Sequence, residues 1–185
     1  MNLRWLPNAI CLARMVLVAP IVIALLEREY MLVLALIVVA GGSDALDGYL
    51  AKTFGWRTRL GSLLDPAADK LLLTSVFLSL TYLGFVPVAL TLIVVARDLV
   101  ILTGAAAYQF LFGRLEGQPT LISKLNTACQ LSFVLFMIMH AGFAWPPRMV
   151  LVLLGACVVA TSVISGLNYV TTWSKRAWRM SHDTG

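Results

Sequence analysis

Four aspartates stand in two close pairs along this chain, Asp44 with Asp47 and Asp65 with Asp69. Residues three or four apart share one face of a helix, so each pair presents its two carboxylates side by side wherever its segment is helical. The flanking sequence is apolar, and carboxylates crowded together in such surroundings resist ionisation. Divalent cations relieve that repulsion. A donor set made of oxygens alone, without His or Cys, favours Mg²⁺ or Mn²⁺ over Zn²⁺, with Ca²⁺ able to substitute structurally. Gly41, Gly42, Gly48 and Gly61 surround the carboxylates. Gly41 and Gly42 fit close helix packing as well as they fit a site. Gly48 directly follows a carboxylate, where a ligand's close approach is the better explanation.

The elements that must position these residues follow from composition. Of 185 residues, 60% are hydrophobic and 12% charged. Soluble domains run near half apolar and a quarter charged, which excludes a soluble globular enzyme and a disordered tail. About 20 apolar residues cross a bilayer, and the punctuation divides the chain into six such runs. They cover residues 8–26, 30–50, 62–83, 88–112, 122–144 and 149–173, an all-α polytopic membrane protein formed by one integral domain, 1–185. The net charge of +5 then speaks for basic loops on anionic lipid and against nucleic acid. Cys11, Cys129 and Cys157 lie in apolar runs without paired spacing and read as small core side chains.

Orientation follows from the cations. With six spans, Arg4, Lys52, Arg57, Arg59, Arg114, Lys124, Lys175, Arg176 and Arg179 share one side, and Arg28 and Arg148 the other. Both termini are therefore expected in the cytoplasm. The tryptophans, Trp5, Trp56, Trp145, Trp173 and Trp178, fall at span ends, as an interfacial belt requires. Arg14 interrupts the first apolar run and no small-residue cleavage site follows, which speaks against a signal peptide. The absence of an Arg- and Ser-rich leader points to a bacterial inner membrane.

Asp44, Asp47, Asp65, Asp69 and Asp98, with Arg14, Lys70 and Arg97, lie inside or at the edges of these spans. Each charge at mid-bilayer costs roughly 2.5–3.5 kcal/mol on insertion scales and persists when paired, hydrated or liganded. The second and third spans are joined by a short basic loop, so they should be antiparallel neighbours. Their four carboxylates then meet at one depth beneath the cytoplasmic surface.

The stretch Asp44-x-x-Asp47-Gly48-x-x-Ala51-Lys52-x8-Gly61-x3-Asp65-x3-Asp69 resembles the signature of the CDP-alcohol phosphotransferases, D-x-x-D-G-x-x-A-R-x8-G-x3-D-x3-D. Seven of its eight fixed positions agree. Lys52 departs from the family's Arg: it keeps the charge and loses the planar fork. The resemblance implies the six-helix fold of that family, a cytoplasmic-facing site, a homodimer, and a reaction in which a hydroxyl displaces CMP from a CDP-linked lipid or alcohol. It implies that Asp44, Asp47 and Asp65 ligate two divalent cations, that Asp69 contributes and serves as general base, and that Asp44, Gly48, Ala51, Lys52 and Gly61 bind the CDP group.

For the acceptor, the run Pro119-Thr120-x-x-Ser123-Lys124-x-Asn126-Thr127-x-x-Gln130 looks like the corresponding segment of CDP-diacylglycerol-dependent cardiolipin synthases of the mitochondrial kind. Arg97-Asp98 and the stretch from Leu60 to Lys70 look closest to that group too. The resemblance thus favours CDP-diacylglycerol and phosphatidylglycerol as substrates, with glycerol-3-phosphate as the alternative acceptor. Arg97 and Lys124 are two cations that could hold the acceptor's phosphate, although Arg97 also suits an ion pair and Lys124 an interfacial lysine. Asn8, Arg14, Ser123 and Asn126 are further candidates; Asn8 suits a helix cap equally well. His140 and His182 have no partner spacing for catalysis. A cation or proton transporter would also carry intramembrane carboxylates, but here they share one depth, and no inverted repeat is evident.

Overall fold

The computed structural model describes the backbone of residues 6–54, 61–112 and 121–182, and the side chains of residues 12–43, 68–104 and 121–169. The described residues are helical apart from short connections. In chain order the helices are α1 (Leu6–Leu26), α2 (Tyr30–Phe54), α3 (Gly61–Tyr82), α4 (Val88–Phe112), α5 (Leu121–Phe143) and α6 (Arg148–His182). Each begins within two residues of its expected start. α2 and α6 run past their expected ends, because the polar residues that close an apolar span, such as Lys52 and the Ser-Lys-Arg-Ala stretch after Trp173, are good helix formers.

The chain stops three of these helices with residues in the left-handed region. α1 ends in a Schellman arrangement: Arg28 has φ 64°, its N–H donates to the Leu25 carbonyl and the Glu29 N–H to Ala24. α3 repeats the pattern with Gly84 at φ 80°, where Phe85 N–H reaches back to Leu80. Ala144 closes α5 with a single bond to His140. Pro87 and Pro147 stand immediately before α4 and α6, placed to limit the preceding residue rather than to break a helix.

The fold has two compact units. The first holds residues 1–87 with 134–148. In it α1 packs against both α2 and α3. α1 buries Arg14, Val18, Ile21 and Leu25, a helical stripe, while α3 buries Ala68, Leu72, Leu73, Val76, Phe77 and Leu80. The Tyr30 and Phe85 rings meet edge to face. A Cβ on Gly142 would stand 3.0 Å from the Tyr30 Cβ, so glycine sets that approach.

The second unit holds residues 88–133 and 149–185. Among its described residues, Leu90 and Val94 of α4, Phe133 of α5, and Leu151 and Val158 of α6 are the buried apolar ones. Gly155 brings α6 close: a Cβ there would lie 3.3 Å from Phe133 and 3.4 Å from Leu90.

The outward faces are apolar as well. α1 exposes Leu12, Val16 and Ile23 opposite its buried stripe, and α6 exposes Met149, Val152, Leu153, Val163, Ile164 and Leu167. A helix hydrophobic all round suits lipid or a deep core, not a water-facing surface. Among the described residues, Leu121–Phe143 and Arg148–Tyr169 are each long and apolar enough to cross a membrane.

Candidate active site

The helical spacing required of the carboxylates is present in the backbone. α2 continues through positions 44, 47, 48, 51 and 52, and α3 through 61, 65 and 69. The side chains expected at Asn8, Asp44, Asp47, Ala51, Lys52 and Asp65, with the surroundings of Gly48 and Gly61, lie outside the described residues. Gly41 and Gly42 are described: a Cβ at either would meet no described residue within 4 Å.

Asp69 is the described member of the cluster. Its side chain is 48% exposed, and its Oδ1 accepts a 2.6 Å hydrogen bond from Nη1 of Arg14, whose side chain is 2% exposed. Arg14 is therefore a buried cation behind a half-open anion. Charge-assisted bonds of this length are the strong ones.

The second unit carries a separate polar core. Arg97 donates from Nη1 to Asp98 at 2.6 Å, and from Nη2 to Ser123 at 2.7 Å and Ser165 at 2.8 Å. Both members of this ion pair are sealed, at 4% and 5% exposed. Arg97 thus takes the ion-pair arrangement, with both terminal nitrogens committed inward. Two rungs appear along α5 and α6: Ser123 is tied with Ser165 through Arg97, and Asn126 accepts hydrogen bonds from Thr161 at 2.9 Å and Ser162 at 2.8 Å. Gln130, one turn further on, is fully buried, and its amide finds no hydrogen-bond partner among the described residues. Lys124 is exposed.

Ser123 and Asn126, candidates from the sequence, each hydrogen-bond across helices here, Ser123 with Arg97 and Asn126 with Thr161 and Ser162. Thr161, Ser162 and Ser165 were not singled out from the sequence. Their signal was available: small hydroxyl residues spaced along one face of an apolar helix hydrogen-bond across to a neighbour.

Among the described residues no group of three or more His, Cys, Asp or Glu is assembled; the donor types on the i,i+3 and i,i+4 spacings, carboxylates only, are those that divalent cations take.

The sequence matches the CDP-alcohol phosphatidyltransferase family over residues 4–173. The chain belongs to that family. It is 30% identical to a cardiolipin synthase (CMP-forming) of Rattus norvegicus over 89% of this chain and 60% of that protein. It is 38% identical to a cardiolipin synthase (CMP-forming) of Streptomyces coelicolor over 52% of this chain and 48% of that one. A chloroplastic CDP-diacylglycerol–glycerol-3-phosphate 3-phosphatidyltransferase of Oryza sativa is 29% identical over 89% of this chain and 55% of its own length. The chain spans about 60% of the length of the rat protein.

Proposed function

We propose that this chain is a CMP-forming cardiolipin synthase acting on CDP-diacylglycerol and phosphatidylglycerol. The observation that carries it is the family match over residues 4–173, joined to relatives named for that activity. A hydroxyl oxygen of phosphatidylglycerol forms a bond to the phosphatidyl phosphorus. The pyrophosphate P–O bond breaks, CMP leaves with the electron pair, and the hydroxyl proton goes to Asp69. No covalent enzyme intermediate is required.

Asp44, Asp47 and Asp65 would hold two divalent cations, Mg²⁺ or Mn²⁺, with Asp69 contributing. Bound there, the cations supply neutralisation of the pyrophosphate and of the charge on departing CMP. Gly48, Ala51 and Gly61 leave room for the CDP group, and Lys52 offers it a point charge. Asp69 is half-open, as a group that must come within hydrogen-bond reach of the acceptor hydroxyl needs to be, and Arg14 holds its Oδ1. Arg97 and Lys124 are the cations proposed for the acceptor's phosphate; Lys124 is exposed, and Arg97 also donates to Ser123. The rice relative favours a second reading, glycerol-3-phosphate as acceptor.

The six helices are each at least 21 residues long, enough to span about 30 Å of hydrocarbon, and the proposal takes all six as spans with cytoplasmic termini. A homodimer goes with the family resemblance. The bacterial inner membrane draws support from the Streptomyces relative and none from the rat one. The test is CMP release from CDP-diacylglycerol in detergent with phosphatidylglycerol or glycerol-3-phosphate offered separately. Cardiolipin from the first is expected; phosphatidylglycerol phosphate alone, from the second, would transfer the assignment to the alternative.

A further inference from the structure

Two arginine–aspartate pairs of equal length stand among the described residues, and they differ in exposure. In the second unit both partners are sealed, 4% and 5% exposed. In the first, the cation is sealed at 2% and the carboxylate stands 48% open. A pair that serves packing has no reason to leave one partner in the open.

Arg14 occupies a core position. It heads the buried stripe of α1 that continues through Val18, Ile21 and Leu25, and α1 packs on α3. Asp69 stands one turn ahead of Leu72 and Leu73 in the buried stripe of α3. An apolar residue at position 14 would complete the α1 stripe without burying a charge. What the arginine adds is a fixed donor, packed on all sides, that takes Oδ1 of Asp69 at 2.6 Å. An aspartate turns freely about two torsions; anchoring one oxygen to an immobile guanidinium fixes where the carboxylate points. Rates of transfer are sensitive to such placement, and displacement of a reacting group by about 1 Å can cost about 100-fold.

We propose that Arg14 is a positioning residue, which aims the carboxylate of Asp69 at the acceptor hydroxyl and does not itself bind a substrate phosphate. This inference rests on the assignment of Asp69 as general base, which the test separates from it.

Asp69→Asn, Arg14→Leu and Arg14→Lys are compared in purified full-length protein by kcat, by KM for CDP-diacylglycerol and for phosphatidylglycerol, and by melting temperature. Asp69→Asn tests the base: it should leave CDP-diacylglycerol binding intact and abolish turnover. Arg14→Leu should lower kcat about 100-fold, with each KM within about threefold of wild type. Arg14→Lys restores a cation to the same carboxylate, so it should recover at least tenfold of that loss. If Arg14→Leu does not fold, Arg14→Lys still decides, since it should show a kcat below wild type at unchanged KM. Unchanged kcat in the folded variants, whatever their melting temperatures, overturns the proposal and leaves a structural ion pair. A tenfold rise in either KM at wild-type kcat also overturns it, and makes Arg14 a phosphate ligand. Turnover by Asp69→Asn overturns the base assignment and this inference together, whereas an inactive Asp69→Asn beside an Arg14→Leu of full kcat overturns only the inference.

Discussion

Arg97 and Ser123 are joined by a 2.7 Å hydrogen bond, and the same Nη2 also reaches Ser165 at 2.8 Å, so one side chain of α4 ties α5 and α6. Asp98 supplies the countercharge beside it. Arg97→Leu would leave a buried carboxylate without its cation, a loss of about 3–5 kcal/mol. The double change Arg97→Leu with Asp98→Leu removes both charges and should be markedly less damaging than the single one. Thermal unfolding in detergent compares the two; equal losses would contradict a coupled pair.

The next rung gives a smaller effect of the same kind. Asn126 accepts from Ser162 and Thr161. Thr161 can also donate to the Cys157 carbonyl at 2.7 Å, so the loss in Asn126→Leu falls on Ser162, which is fully buried. An unsatisfied buried hydroxyl costs about 1–3 kcal/mol. Adding Ser162→Ala to Asn126→Leu should recover part of the lost melting temperature. No recovery would show that the rung is not where the energy lies.

Two glycines should respond in opposite directions. Gly155→Ala places a methyl 3.3 Å from the Phe133 ring and 3.4 Å from Leu90, and larger residues there should destabilise by about 1–3 kcal/mol. Gly41→Ala meets no described residue within 4 Å and should gain about 0.5–1 kcal/mol of helix stability. If Gly41→Ala nonetheless lowers activity at intact melting temperature, its face serves a ligand or a second copy.

Much of this was legible in the sequence because punctuation and hydropathy act locally. Gly84 ends α3 through its own backbone freedom, and Val88–Phe112 is bounded by Pro87 before it, so both boundaries were readable. The helical spacing of Asp44 with Asp47 and of Asp65 with Asp69 was readable for the same reason. What was not legible is pairing across helices. The sequence places Arg14 and Asp69 55 residues apart, and nothing local says that they meet. It offers Arg97 both as a cation for a phosphate and as an ion pair, and its partners Ser123 and Ser165, from two other helices, are not readable locally. The end of α6 was missed because a span ends where charges begin, while a helix ends where its hydrogen bonding does.

Asp65→Ala should lose metal dependence and activity together, since three carboxylates hold two divalent cations less well than four. Titration of Mn²⁺ against purified protein checks it. An unchanged titration with lost activity would move Asp65 out of the ligand set.

The central claim is tested most directly by following CMP from CDP-diacylglycerol and phosphatidylglycerol in detergent, first with Mg²⁺ or Mn²⁺ and then with EDTA. The account predicts CMP and cardiolipin in equal amounts, both abolished by the chelator and restored by added metal. Cation flux through reconstituted vesicles with no CMP formed under any of these conditions would contradict it.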